Sequence, residues 1–83
     1  AIGCRVEVEK MIATGRIDMV VETIHIIYVL ELKLSNNGGI DAAAEQIRSR
    51  QYAEPFKADK RRVVALAIEL DDKGKGLIDW KEV

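Results

Sequence analysis

Apolar and polar side chains alternate along the first third of the chain. From Cys4 to Ile12, Val6 and Val8 interleave with Glu7 and Glu9, the period-two mark of a half-buried strand. Ala13-Thr14-Gly15 supplies a turn. A second strand follows over Arg16 to Glu22, with Ile17, Met19 and Val21 on one face and Arg16, Asp18, Val20 and Glu22 on the other. A third runs from Ile26 to Leu34. Its even positions (Tyr28, Leu30, Leu32, Leu34) share one face, and Ile27, Val29, Glu31 and Lys33 share the opposite one. So little chain separates the second and third strands that they must form a hairpin.

The pattern then changes period. Ser35-Asn36-Asn37-Gly38-Gly39 is the strongest turn signal in the chain. Asp41 reads as the N-cap of a helix through Ala42-Ala43-Ala44-Glu45-Gln46-Ile47-Arg48, whose alanines permit close packing on a sheet. Pro55 closes or restarts the helical region near Tyr52. From Arg62 to Leu70 the run Val-Val-Ala-Leu-Ala-Ile is almost continuously apolar. Such a run suits a strand covered on both faces and reached through a helical crossover. Asp71 to Gly76 turns the chain, and Leu77 to Val83 forms a last strand at an edge. The predicted order is β-β-β-α-β-β, an α+β fold with a mixed sheet: an antiparallel meander, one crossover helix, a strand parallel to the third, and an edge strand.

At 83 residues the chain holds one domain, residues 1–83, whose core is thin. With 48% hydrophobic and 33% charged residues it is no disordered tail. No apolar run approaches the ~20 residues of a membrane span and no signal-peptide pattern opens it, so a cytoplasmic location is expected. The single cysteine, Cys4, excludes an internal disulfide and reads as a buried or idle thiol. The start at Ala1, strand-like in character, suggests a piece of something longer. The net charge of −1 hides a basic segment, residues 46–62, with six basic and two acidic side chains. Arg48, Arg50, Lys57, Lys60, Arg61 and Arg62 within it could hold a nucleic-acid backbone if they flank an acidic site. Otherwise they form a solvated face.

The chemistry concentrates in the hairpin. A tight turn at Ile24-His25 puts Asp18 directly across from Glu31, with Cβ atoms ~5 Å apart on one face. Two carboxylates so placed repel each other unless a cation is present, and a hard divalent ion resolves the conflict. Lys33 points the same way ~7 Å from Glu31, where it could stabilise charge developing on a phosphoryl group. Taken alone, an Asp and a later Glu-x-Lys also occur by chance on solvated strands. His25, with no second His or Cys cluster, argues against a zinc site.

The order and spacing of several segments add to this reading. Gly15-Arg16-Ile17-Asp18-Met19-Val20-Val21-Glu22, Tyr28-Val29-Leu30-Glu31-Leu32-Lys33, Ala44-Glu45-Gln46-Ile47, Tyr52-Ala53-Glu54-Pro55-Phe56 and the closing Ile78-Asp79-Trp80 together resemble the PD-(D/E)XK nuclease superfamily. The resemblance is to the nuclease-like domain found C-terminal to an AAA-ATPase-like region in many bacterial proteins. It implies a restriction-endonuclease-like core in which Asp18, Glu31 and the Leu32 carbonyl hold Mg²⁺ or Mn²⁺ and Lys33 is the catalytic lysine. It also implies catalytic roles for Gln46 and Tyr52. The helix that usually opens that core has no counterpart in the sequence. The chain then reads as the C-terminal fragment of a longer protein, and its sheet would expose an apolar face suited to a second copy or to missing chain. The implied activity is metal-dependent hydrolysis of DNA or RNA. A non-catalytic module serving the ATPase-like region is the competing expectation.

Overall fold

The computed structural model describes residues 4–83. Five strands form one mixed sheet: β1 (Arg5–Ile12), β2 (Gly15–Glu22), β3 (Ile26–Leu34), β4 (Arg62–Leu70) and β5 (Leu77–Glu82). They lie side by side in chain order. Every neighbouring pair is antiparallel except β3 and β4, which run parallel. That single parallel pair demands a crossover, and helix α1 (Gly39–Ser49) supplies it. The helix packs on β3 and β4 through Ala43, Ala44 and Ile47, which are buried against Ile27, Val29, Ala65 and Ala67. Alanines on both partners let helix and sheet approach closely.

The β2–β3 hairpin turns at Ile24-His25, fastened by Thr23, whose Oγ1 accepts a hydrogen bond from the Ile26 N–H at 2.9 Å. Its register pairs Met19 with Leu30 and Glu22 with Ile27, as the tight turn requires. Regular alternation does not persist along β2, however. Ile17 and Val20 are both fully buried although they lie three apart, so the expected grouping of Ile17 with Met19 and Val21 fails. The cause is local. The β1–β2 ladder skips the position where Glu9 would face Asp18, and Glu9 has a left-handed backbone with φ of 54°. An irregularity there swaps the face that each strand presents on its two sides.

The helix start also differs from the expectation of an Asp41 cap. Helix α1 begins at Gly39, directly after a 3₁₀ turn over Ser35–Asn37, and Asp41 lies within its first turn. Its N-terminal amides are served from the sheet: Ile40 N–H donates to Glu69 Oε1 at 2.9 Å, and Ser35 Oγ donates to the other oxygen of that carboxylate. Gly39, with φ of 59°, is required because a Cβ there would stand 2.5 Å from Glu69 Oε1. Acceptance of these bonds holds the Glu69 carboxyl below its ordinary range.

The opposite face of the sheet carries Val8, Met19, Leu30, Leu66 and Trp80, and no element among the described residues covers it. Val8 and Trp80 are exposed there. Strand β4 is therefore covered by a helix on one face only, rather than on both as its apolar run suggested. Cys4 is exposed just outside β1, not buried.

Candidate active site

The sequence-predicted residues Asp18, Glu31 and Lys33 meet at the fork where β2 leaves β3. Their ladder runs from Glu22–Ile27 to Met19–Leu30 and stops, while the β1–β2 ladder continues to Ile12–Gly15. Asp18 occupies the fork. Its Oδ2 accepts the Leu32 N–H at 3.0 Å, taking the place of a backbone partner. In an extended strand a residue's N–H and C=O point to the same neighbour, so the Leu32 carbonyl is also directed to the side where β2 has departed.

Glu31 lies on the helix-covered face beside Asp18 and is 2% exposed. Burial pushes its carboxyl above the ordinary range, and the adjoining Asp18 carboxyl pushes it further. Tyr52 and Lys33 act in the opposite direction. The Lys33 ammonium is 3.6 Å from Glu31 Oε2. Tyr52, wholly buried, places its hydroxyl 2.8 Å from Glu31 Oε1 and 2.8 Å from the Arg16 carbonyl, and accepts the Gln46 Nε2–H at 2.8 Å. One hydroxyl proton thus serves two acceptors. Burial raises the Tyr52 phenol to about 12, so it remains a donor throughout the neutral range. Tyr52 meets Glu31 through its buried hydroxyl, and Gln46 reaches Glu31 only through that hydroxyl.

The basic segment divides. Arg48 and Lys60 are exposed, and Lys57 pairs with Glu54 at 3.7 Å. Arg61 is bound elsewhere. Its Nη2 lies 2.8 Å from Asp59 and 2.9 Å from Glu22, and its Nη1 donates to the Thr23 carbonyl at 3.1 Å. Arg62 pairs with Glu82 at 3.4 Å and stands opposite Ile26 in the β3–β4 ladder, five positions from Glu31, or roughly 16 Å along the strand. Arg61 thus fastens the far end of the hairpin, while the Arg62 side chain is tied to Glu82 of β5.

The sequence reading did not single out Arg16 as a site residue, and it named Arg50 only within the basic segment. Arg16 places Nη1 3.2 Å from Glu9 and Nη2 3.7 Å from Asp18 Oδ1. The Arg50 side chain lies across Gly15, where a Cβ would meet its Nη1 at 3.0 Å. Arg16 is two positions from Asp18 and was discoverable by proximity. Arg50 is 35 positions from Gly15, and no local pattern announces such a contact.

Among the described residues no group of three or more His, Cys, Asp and Glu side chains converges. The donor set at the fork is two carboxylates and a backbone carbonyl, all hard oxygens. That set suits Mg²⁺ or Mn²⁺, which take few protein ligands and leave the remainder to water and phosphate. The like charges of Asp18 and Glu31 also provide the electrostatic reason for a cation. The residues fit the ion.

A family model for the PD-(D/E)XK nuclease superfamily matches residues 2–80. The chain belongs to that superfamily. No curated protein and no solved structure matches it. Membership accounts for the mixed five-stranded sheet with its helix, compatible with a restriction-endonuclease-like fold, and it points to nuclease activity on a nucleic-acid substrate, in a superfamily whose nucleases generally depend on a divalent metal.

Proposed function

We propose that this superfamily member is a metal-dependent phosphodiesterase that cuts DNA or RNA at the β2–β3 fork. The observation that carries the reading is the pairing of Asp18 with the buried Glu31, whose carboxyl is raised by burial and by its neighbour, with Lys33 3.6 Å away. A structural ion pair does the opposite to a carboxylate, lowering its pKa. A buried acid held in this unfavourable state is a mark of a site awaiting a positive partner.

Asp18, Glu31 and the Leu32 carbonyl would hold Mg²⁺ or Mn²⁺, which supplies Lewis-acid polarisation of the phosphoryl oxygen and a lowered pKa for water. The chain's own residues do the rest. Tyr52, steadied by Gln46, fixes the orientation of Glu31 by donating to Oε1. The Leu32 N–H fixes Asp18 by donating to Oδ2, while Oδ1 lies 3.7 Å from Arg16 Nη2. Lys33, 28% exposed, reaches the rim of the fork, where its ammonium stabilises negative charge that builds on the phosphate oxygens.

The direct test compares wild type with Lys33→Ala on single- and double-stranded substrates, with Mg²⁺, with Mn²⁺ and with a chelator. Cleavage by wild type should fall to background in the chelator. In Lys33→Ala it should fall by ~10²–10³-fold without loss of the thermal unfolding transition. A wild-type protein that folds and cuts neither substrate in either metal would exclude the nuclease reading and favour a non-catalytic module.

A further inference from the structure

We propose that Arg16 is a displaceable counter-ion of Asp18, parked on Glu9, and that these two residues set how readily a divalent cation occupies the fork. The inference rests on the nuclease reading and adds to it a pair of residues that govern the loading of its site.

Each carboxylate of the fork has a basic side chain beside it, and the two are held differently. Lys33 places Nζ 3.6 Å from Glu31 Oε2. Arg16 is anchored on a third carboxylate. Its Nη1 donates to Glu9 Oε1 at 3.2 Å, whereas its Nη2 stands 3.7 Å from Asp18 Oδ1, beyond hydrogen-bond reach. The grip is on Glu9, and on Asp18 the guanidinium acts through its charge alone. Asp18 Oδ2 is committed to the Leu32 N–H at 3.0 Å, so Oδ1 is the less engaged oxygen, and it is the one that Arg16 attends.

Glu9 meets Arg16 from a backbone that glutamate seldom adopts. It lies in β1 between Val8 and Lys10, which pair with Met19 and Ile17, so it stands across from Asp18 at the position the ladder skips, with φ of 54°. Such a conformation persists only where its surroundings hold it, and residues of this kind collect at functional sites. The Glu9 and Arg16 side chains are 70% and 52% exposed, against 21% for Asp18. An ion pair this exposed is weak, so a guanidinium leaning on Asp18 yields to a doubly charged ion at modest cost. Glu9 then retains the displaced guanidinium. Without Glu9, Arg16 is free to close on Asp18 and compete harder for Oδ1; without Arg16, Oδ1 is open. The Arg16 backbone is fixed independently of its side chain, because its carbonyl accepts the Tyr52 hydroxyl at 2.8 Å. Changing the side chain therefore leaves the support of Glu31 in place.

The experiment measures Mn²⁺ binding, without nucleic acid, from the loss of the free-ion electron paramagnetic resonance signal. It compares wild type, Arg16→Gln, Glu9→Gln, the double variant and Asp18→Asn, with the unfolding transition of each recorded in chelator. Arg16→Gln should tighten binding by ~2–5-fold, the worth of a partly exposed ion pair. Glu9→Gln should weaken binding by ~2–5-fold when Arg16 is present and leave it unchanged in the Arg16→Gln background, because Glu9 acts through Arg16. Arg16→Met, which keeps an unbranched stem, replaces Arg16→Gln in both backgrounds should the latter fail to fold. An Arg16 variant that binds Mn²⁺ no more tightly than wild type would overturn the proposal. So would an equal effect of Glu9→Gln in both backgrounds, since Glu9 would then act on the ion by its own charge. A wild type that binds no Mn²⁺, or binds it equally well after Asp18→Asn, overturns the metal site of the nuclease reading itself, and the proposal with it.

Discussion

The β2–β3 hairpin carries a charged cluster at each end, and the two are built in opposite ways. At the turn end, Arg61 is gripped by Asp59 and Glu22 while the Asp59 carboxylate also accepts the Arg61 backbone N–H at 2.9 Å. Hydrogen bonds from Arg61 hold Asp59 down to about 2 and push the guanidinium pKa upward. Each charge there is met by its opposite. At the fork end, two carboxylates face each other, one of them buried, with Lys33 3.6 Å from Glu31 and Arg16 3.7 Å from Asp18, and the Glu31 pKa is still raised. The turn end stabilises the fold. The fork end keeps a carboxyl whose burial and like-charged neighbour outweigh the cations beside it, and that contrast separates a fastening from a candidate site more sharply than counting charges does.

The largest effect that would break this comparison comes from Asp18→Asn. The amide oxygen can still accept the Leu32 N–H, so the fork keeps its shape. The charge that repels Glu31 disappears, so stability in chelator at neutral pH should hold or rise. Cleavage should fall by roughly 10³-fold or more, since removal of a cation ligand forfeits several kcal/mol of transition-state stabilisation. Arg61→Ala should do the reverse: a lower thermal midpoint, with kcat in Mg²⁺ unchanged. If Asp18→Asn cost stability and Arg61→Ala cost kcat, the roles assigned to the two ends would be exchanged.

Much of this contrast was legible in the sequence, and the reasons for the remainder are physical. The hairpin register followed from assuming a tight turn, since only three residues, Thr23 to His25, separate the strands, and that turn puts Asp18 on the side of Glu31 and Lys33. The break in alternation along β2 was not readable, because it depends on the left-handed backbone of Glu9 on another strand, and glutamate does not advertise that conformation. The helix start was misread at Asp41 for a similar reason: its amides are served by Glu69, which is 29 positions from Ile40 in the chain. A cap supplied by another element leaves no local signature. The basic segment was visible as composition, but composition could not show that Arg61 is committed to Asp59 and Glu22 and Arg62 to Glu82, while Arg50 lies across Gly15.

An intermediate effect tests how tightly the fork is held. Tyr52→Phe keeps the ring in the core and removes the hydroxyl that meets Glu31 Oε1, the Arg16 carbonyl and Gln46. A buried carboxylate left without its donor costs about 1–3 kcal/mol. The variant should therefore unfold at lower urea, and its kcat should drop by ~10–100-fold, as loss of an outer support to a cation ligand does. Loss of stability without loss of kcat would show that Tyr52 serves packing alone.

The smallest effect is the most discriminating, because the two ends should respond to acid with opposite signs. Glu31 has a raised pKa in the folded chain, so the folded state holds its proton more tightly than the unfolded state. Its stabilising contribution is complete below the ordinary value of 4.5 and is lost as pH climbs through the raised value. Asp59 is shifted the other way. Its contribution is complete above the ordinary 3.8 and is lost as pH falls toward about 2. Urea midpoints measured in chelator from pH 7 down to pH 2 should therefore separate the two. Relative to wild type, Glu31→Gln should be more stable at pH 7 and lose that advantage on acidification. Asp59→Asn should be less stable at pH 7 and converge with wild type only near the acid limit. Parallel curves for the two variants would mean that the fork is no less compensated than the turn, and the physical distinction between them would fall.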